Sequence, residues 1–337
     1  MTQTYLSDHV SVAPRYQRSI RIDADFGQAD PLSGYVLQGS ARDALTTTLR
    51  LATNGQGAFT WTGPYGGGKS SLALALASYS LGRGPAFKEA KQLLGDVPEV
   101  TAVFGRAPKD WLCVSLSGRR GDPVADLREA LASAIAGEPG HARTKRSKME
   151  AADGRDIVER LQREVEARPK GGVLVIVDEL GKYLEGAADH AVDIHFFQDL
   201  AEAANRSEGR LIVVGVLHQA FERYADRLGQ SVQVEWRKVQ GRFADVPIIT
   251  AVDEVIELVG RAVTTERSHP QSHQIAAIVA SEIAERRPGV PKDLAERLDD
   301  CWPLNPAAAA LLGPITRRRF SQNERSLFGF LASAEPS

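Results

Sequence analysis

The sequence predicts a three-layer α/β domain built on a parallel sheet, with an all-helical subdomain after it. Three observations carry that reading. Two runs, Val173–Val177 (VLVIV) and Leu211–Leu217 (LIVVGVL), are continuously apolar and rich in β-branched residues, as strands covered on both faces are. Strand-like runs alternate with segments of helical period up to about residue 252. Beyond it, Pro288, Pro291, Pro303, Pro306 and Pro314 separate stretches that read as helices only.

In chain order, residues 1–39 hold Pro14, Pro31 and several glycines and read as irregular. Ser40 is placed to cap a helix carrying Ala44, Leu45, Leu49 and Leu51. Gly57–Thr62 (GAFTWT) reads as a short strand, followed by a glycine-rich loop and an apolar helix over Ser70–Leu81. The stretch up to Asp110 is poorly patterned and reads as an insertion. Trp111–Leu116 (WLCVSL) is a buried strand. Asp122-Pro123 pairs a cap with a proline at the first helical position, and Val124, Leu127, Leu131 and Ile135 then recur at helical spacing. Residues 138–154 are glycine-rich and basic, hence a loop. Ile157, Leu161 and Val165 mark a helix ended by Pro169 and Gly171. Another helix is expected around Val192–Asn205, and a short strand at Val246–Ile249. The C-terminal helices are expected near 253–264, 271–285, 291–301 and 322–332. The organisation expected is an irregular segment (1–39), an α/β core (40–252) and a helical lid-like subdomain (253–337).

The 337 residues allow about two domains. Hydrophobic residues make up 43% and charged residues 25%, the balance of a soluble globular chain. Net charge is −2, so the chain as a whole has no electrostatic pull toward nucleic acid or a membrane surface. Cys113 and Cys301 lie in no metal or redox spacing. The N-terminus lacks the regions of a signal peptide, and no apolar run approaches about 18 residues. A cytoplasmic protein without a membrane segment is expected.

Chemistry enters at Gly63-Pro64-Tyr65-Gly66-Gly67-Gly68-Lys69-Ser70, which fits GxxxxGK[ST] throughout. Glycines let successive N–H groups turn inward on phosphate oxygens. The following helix directs its positive end at the same anion. Lys69 is expected on the β- and γ-phosphates and the Ser70 hydroxyl on Mg²⁺. Ser71 is either a contact to the α-phosphate or a plain helix-surface serine. No guanine-specificity motif is present, so the nucleotide expected is ATP, with adenine near Gly34-Tyr35-Val36.

The run Val173–Val177 ends in Asp178-Glu179. A carboxylate at the C-terminal end of a central strand lies on the ligand edge of an open α/β sheet. Asp178 is expected to hold Mg²⁺, and Glu179 to orient and deprotonate the attacking water. An acid directly after the metal aspartate points to hydrolysis rather than transfer to a small molecule. His218 or Gln219, at the end of Leu211–Leu217, is the expected sensor of the γ-phosphate; the alternative for each is an ordinary surface residue or helix cap. Arg242, in Gly241-Arg242-Phe243 before the last strand, is the candidate arginine finger, with Arg237 in reserve. Such a finger acts on a neighbouring subunit, so a homo-oligomer with nucleotide at its interfaces is expected. The alternative is an arginine salt-bridged on its own subunit. The fold expected is thus the P-loop core of the additional-strand (ASCE, AAA+-like) type.

The run Trp61–Ser71 resembles the P-loop of large bacterial ATPases from phage-defence islands, including those of BREX-type systems. Gly241-Arg242-Phe243 adds to the resemblance, as do Cys301-Trp302-Pro303-Leu304-Asn305-Pro306 and the segment from Arg317 to Leu331. Similar proteins carry Pro-Leu-His-Pro, and here Asn305 stands where the histidine would be. They also continue well past such a segment, so a fragment or a shortened relative is expected. The resemblance implies an AAA+/STAND-like ATPase that drives assembly or remodelling in anti-phage defence, with DNA or an effector protein as partner.

Weaker signals remain. The basic loop His141–Lys148 and the run Arg317–Arg319 could contact nucleic-acid phosphates, though a charge run is usually a solvated face. Arg325 or Lys292 could fold over the nucleotide. His190 and His195 lack the spacing of a metal site. Two further readings compete with the motor: a nucleotide-gated scaffold with little turnover, and a DNA-loading initiator, for which no winged helix is visible.

Overall fold

A computed structural model describes residues 9–17, 20–105, 110–137, 154–188, 195–219, 237–265, 269–287, 289–319 and 327–332. The chain divides into two compact units. One holds Ile20–Gly63 and Gly68–Ile248; the other holds Met1–Ser19, Pro64–Gly67 and Ile249–Ser337.

In the N-terminal part, β1 (Val10–Val12), α1 (Pro14–Gln17) and α2 (Ile22–Asp25) precede the long helix α3 (Gly39–Thr53). The first, larger unit is then built from β2 (Ala58–Thr62), α4 (Lys69–Ser80), α5 (Phe87–Leu94), α6 (Pro98–Phe104), β3 (Trp111–Ser117), α7 (Pro123–Ile135), α8 (Gly154–Glu166), β4 (Gly172–Asp178), α9 (Gly181–Ala188), α10 (His195–Asn205), β5 (Leu211–Leu217) and β6 (Ala244–Pro247). The five strands β2 to β6 form one sheet in the order β3-β4-β5-β2-β6, every pair parallel. β5 therefore stands between the strand that precedes the glycine loop and the strand that ends in the acidic pair. That inserted strand defines the additional-strand type of P-loop core, and the fold class expected from the sequence is the one observed.

Side-chain alternation explains the continuous apolar runs. Leu174, Ile176, Ile212, Val214 and Val216 face the layer containing α3, α4, α5 and α6. Val173, Val175, Val177, Leu211, Val213 and Leu217 face the layer of α7, α8 and α10. With a period of two and both faces covered, neither Val173–Val177 nor Leu211–Leu217 carries a polar side chain. Helix α4 is buried nearly all round, from Leu72 to Ser80.

Several local expectations are corrected. Ser40 is not the cap: the helix begins at Gly39 and Gln38 is the N-cap, without a side-chain bond. The stretch read as an insertion contains α5 and α6, whose Ala90, Leu94, Val100 and Phe104 are buried. Helices this short give too few turns for periodicity to register. The last strand lies at Ala244–Pro247, two residues earlier than expected, because pairing sets it: Phe59 stands opposite Ala244 and Thr62 opposite Pro247. Asp245 is tolerated there because its carboxylate accepts from Thr60 Oγ1 at 2.8 Å and Thr62 Oγ1 at 3.3 Å. Pro247 closes an edge strand, where a missing N–H is least harmful.

The second unit contains α11 (Val252–Ala262), β7 (Val263–Thr265), α12 (Ser272–Arg286), α13 (Leu294–Asp299), α14 (Pro306–Arg319) and α15 (Leu327–Leu331). Its core gathers Val255, Ile256, Val259, Ala276, Leu294, Leu298, Cys301 and Ala309. It is not helices only. β7 pairs antiparallel with β1, Val10 opposite Thr265, so the N-terminal stretch read as irregular supplies a strand. Helix α14 is the other correction, since it begins at Pro306 and contains Pro314, two prolines read as separators. Pro306 sits where a helix has no N–H to lose, and Asn305 Oδ1 accepts from Ala307 N at 2.9 Å. Asn305 is thus a helix-capping residue. Among the described residues no helix is long and apolar enough to cross a membrane.

Candidate functional site

The C-terminal ends of β2, β3, β4 and β5 gather the predicted residues of the larger unit. Gly63 follows β2, and Lys69 opens α4. Between them, Pro64–Gly67 cluster with the other unit; Tyr65 is 41% exposed and Gly66 has φ +74°. Gly68 is the N-cap of α4 with φ +72°, a left-handed conformation that suits glycine. It also has a neighbour: a Cβ added there would lie 3.2 Å from the Tyr35 ring. Tyr35, named as a candidate adenine contact, therefore packs on the last glycine of the loop.

Lys69 is 3% exposed, and its ammonium donates to Gly63 O at 2.8 Å. Burial pulls it down to about 8, although the Asp178 carboxylate nearby acts the other way. Ser70 Oγ donates to Asp178 Oδ1 at 3.1 Å, and the same oxygen accepts from Glu179 N at 3.0 Å. Asp178 is 2% exposed. Burial pushes its carboxyl up to about 6, against the Ser70 hydrogen bond, and the neighbouring Glu179 adds to the rise. Ser71 is half-buried on the first turn of α4.

The donor set suits the groups expected. Ser70 and Asp178 offer two hard oxygens of the kind Mg²⁺ takes. An anion beside Lys69 and a cation beside Asp178 would each favour the ordinary charge state of its partner.

Glu179 has φ +52°, in the left-handed region that non-glycine residues seldom occupy. Its carboxylate is ion-paired with the Lys182 ammonium. β3 approaches this turn closely: Gly118 N donates to Asp178 O at 2.6 Å, and a Cβ at Gly118 would lie 2.2 Å from Glu179 O. Only glycine fits there. His218 follows β5; burial, then Lys69 and Lys182, hold its imidazole down near pKa 3, so it is neutral at pH 7. Gln219, beside it, is half-buried.

Arg242 lies elsewhere. The strands are parallel and Arg242 precedes β6, so it stands at the N-terminal edge of the sheet, with about 13 Å of strand between its level and the loop. Its guanidinium pairs with Glu202 at 3.1 Å, and Asn205 Nδ2 and Gln56 Nε2 donate to its carbonyl at 3.0 and 3.2 Å. Arg242 cannot serve the phosphate site of its own chain. Arg237, the reserve, is exposed. In the other unit Lys292 is exposed. His141–Lys148, His190 and Arg325 lie outside the described residues, as do the side chains of Arg317–Arg319.

Sequence reading missed Gly118 and Lys182. Nothing local marks Gly118, because its constraint comes from β4. Lys182 was findable, since Glu179 and Lys182 are three apart where a helix begins. A further cluster was also missed: the buried Asp126 carboxylate accepts from Tyr183 Oη at 2.6 Å and from Arg119 Nε at 2.8 Å, tying α7, α9 and the end of β3 together.

No protein-family model and no curated protein matches the sequence. Among solved structures, the chain is similar to the ORC2 protein of Aeropyrum pernix, in ADPNP-ADP complexes, at 16% identity, 85% of this chain, 71% of that one and a TM-score of 0.42. It is similar to Cdc6p of Pyrobaculum aerophilum at 11% identity, over 93% and 66% of the two chains, with a TM-score of 0.38. A third is domain III of the Thermotoga maritima replication initiation protein DnaA, at 11% identity, over 92% and 95%, with a TM-score of 0.29. At TM-scores below 0.5 these likenesses add nothing to what the strand order and the glycine loop already show: a P-loop core of the additional-strand, AAA+-like type.

Proposed function

We propose that this chain binds ATP with Mg²⁺ at the C-terminal edge of its sheet, hydrolyses it, and couples nucleotide state to self-assembly and to remodelling of a macromolecular partner. The observation that carries this reading is the convergence of Lys69, Ser70, Asp178 and Glu179 on one sheet edge, with Ser70 and Asp178 3.1 Å apart. Gly63–Ser71 wrap the phosphates and Lys69 neutralises them. Ser70 and Asp178 hold Mg²⁺, which supplies charge neutralisation to the transferred phosphoryl group. Glu179 takes the proton of the attacking water. His218, a neutral imidazole, and Gln219 read the γ-phosphate by hydrogen bonding.

Arg242 is salt-bridged to Glu202 on its own subunit, the alternative weighed against the finger. The oligomeric part of the reading therefore rests on the expectation from the sequence and on the concentration test below. The defence setting rests on the sequence resemblance alone.

The test is ATP turnover against protein concentration, with and without double-stranded DNA, beside sedimentation velocity. Turnover per subunit should climb where larger species appear, and Arg242→Ala should flatten that climb while leaving ATP binding intact. Glu179→Gln should lower turnover about a hundredfold or more with binding retained. Tight binding with no turnover in any state would replace this reading with the scaffold. A DNA-dependent rise without self-association would favour the initiator.

A further inference from the structure

We propose that Tyr35 is a positioning residue that braces the phosphate loop, its ring holding Gly68 in the conformation that receives phosphates whatever base they carry; this rests on the reading of the loop as an ATP site given above. Gly68 joins the loop to α4 and has φ +72° as the helix N-cap. A residue without a Cβ leaves such a conformation easily, so contact from outside limits its freedom. Here the contact is aromatic. A Cβ at Gly68 would lie 3.2 Å from Tyr35 Cε2 and 4.0 Å from Tyr35 Oη. Apart from the residues on either side of Gly68 in the chain, only Tyr35 among the described residues comes within 4 Å of that point.

The brace is itself held. Leu32 to Tyr35 form a tight turn, in which Tyr35 N donates to Leu32 O at 2.9 Å and Gly34, third in the turn, has φ +83°. Leu32 is 3% exposed, and its N–H donates to Glu89 Oε2 of α5 at 3.2 Å. Phe26 and Leu32 belong to the same core as Leu72 and Leu76 of α4, and Tyr35 packs against it. The turn and the helix that Gly68 caps are therefore one packed body. Tyr35 and Gly68 are 33 positions apart, so the fold and not a local motif brings them together. A ring packed on loop backbone acts on phosphates through that backbone, and contributes equally to a nucleotide and to its bare phosphate chain. A ring stacked on adenine contributes to the nucleotide alone.

Calorimetry on the full chain with Mg²⁺, using ATP and inorganic tripolyphosphate as probes, separates the two. Tyr35→Ala should weaken both by the same factor, about five- to thirtyfold, the cost of returning its freedom to one backbone residue. Tyr35→Phe keeps the ring, the nearer group, and should bind both as wild type does. Without ligand, the amides of residues 63–70 should exchange hydrogen faster in Tyr35→Ala, and those of β4 and β5 should not. Should Tyr35→Ala fail to fold, Tyr35→Leu fills the turn without a flat ring and is held to the same equality. ATP weakened with tripolyphosphate unmoved makes Tyr35 an adenine contact and overturns the brace. Affinity unchanged for both overturns it as well, and so does Tyr35→Phe binding as weakly as Tyr35→Ala. Wild-type protein that binds neither probe removes the ATP reading itself, and the brace with it.

Discussion

The two edges of one sheet are built on opposite terms. At the C-terminal edge charges are buried: Lys69 and Asp178 are 3% and 2% exposed, and burial displaces both from their ordinary pKa values. At the N-terminal edge, around the start of β2, a part-buried neutral amide closes the strand and the Arg242 charge is outside. Asn205 Oδ1 accepts from Gly57 N at 2.7 Å and Ala58 N at 3.1 Å, while its Nδ2 donates to Arg242 O. Arg242 itself is half-exposed. One edge lowers stability by burying charge, and the other raises it by hydrogen bonding. Substitutions at the two edges should therefore move stability in opposite directions.

The largest effect is expected at Asn205. Asn205→Ala removes three hydrogen bonds and leaves two backbone N–H groups at the start of β2 without their acceptor. A loss of about 2–4 kcal/mol follows, which a thermal melt should read as roughly 5–10 °C. ATP affinity should stay within about twofold, because the P-loop lies at the far end of β2. An unchanged melt would mean that water replaces Asn205, and the contrast between the edges would fail.

Asp178→Asn should do the reverse. An amide keeps an Oδ1 to accept from Ser70 and Glu179 and removes the buried charge. Burial raises the carboxyl from 3.8 to about 6, so at pH 8 the ionised form opposes folding. Removing it should stabilise the nucleotide-free protein by about 1–2 kcal/mol while turnover is lost. A variant less stable than wild type at pH 8 would show that the Asp178 charge is compensated in place.

Legibility in the sequence follows the same division. The C-terminal edge was readable because its chemistry is local: GPYGGGKS and Asp178-Glu179 are contiguous, and the strands leading to them are apolar without interruption. Ser70 meeting Asp178, 108 residues away, follows from the fold type those motifs imply. The N-terminal edge was not readable. Asn205 acts on Gly57, and no local pattern marks an asparagine at a helix end as the closure of a strand 148 residues away. Gly118 was invisible for the same reason. β1 and β7 are three residues each, too short for alternation to show, and their pairing joins distant residues, Ser11 and Thr264 being 253 positions apart. The α14 helix was hidden by its prolines, since Pro314 argues against a helix that packing at Ala309 nevertheless sustains.

His218 lies at the charged edge and gives it a pH signature. Its folded pKa, near 3, is below the unfolded 6.5. The stability it contributes is present above pH 6.5 and is lost as pH falls from 6.5 toward 3, because the unfolded chain takes up the proton first. Between pH 6.5 and 5 that slope amounts to at most about 2 kcal/mol, less for the part of the ring that solvent reaches. His218→Gln, neutral throughout, should flatten the acid side of the stability curve by that amount. An unchanged slope would mean that the imidazole is protonated in the folded protein at mild acid pH.

The smallest effect on stability is expected at Arg242, and its smallness matters most to the proposed assembly. Glu202 keeps other partners when the guanidinium is gone: Gln198 Nε2 at 3.0 Å and Arg206 at 3.0 Å. An exposed pair with a substitute at hand contributes about 0–0.5 kcal/mol. Arg242→Ala should therefore melt within about 1 °C of wild type as an isolated subunit. A residue that structure can spare, at the edge away from its own phosphate site, should show its loss only where subunits meet. The same variant should lose the rise of turnover with concentration. If Arg242→Ala instead melts several degrees lower and keeps that rise, the arginine is a staple of its own subunit, and the N-terminal edge has no part in the chemistry.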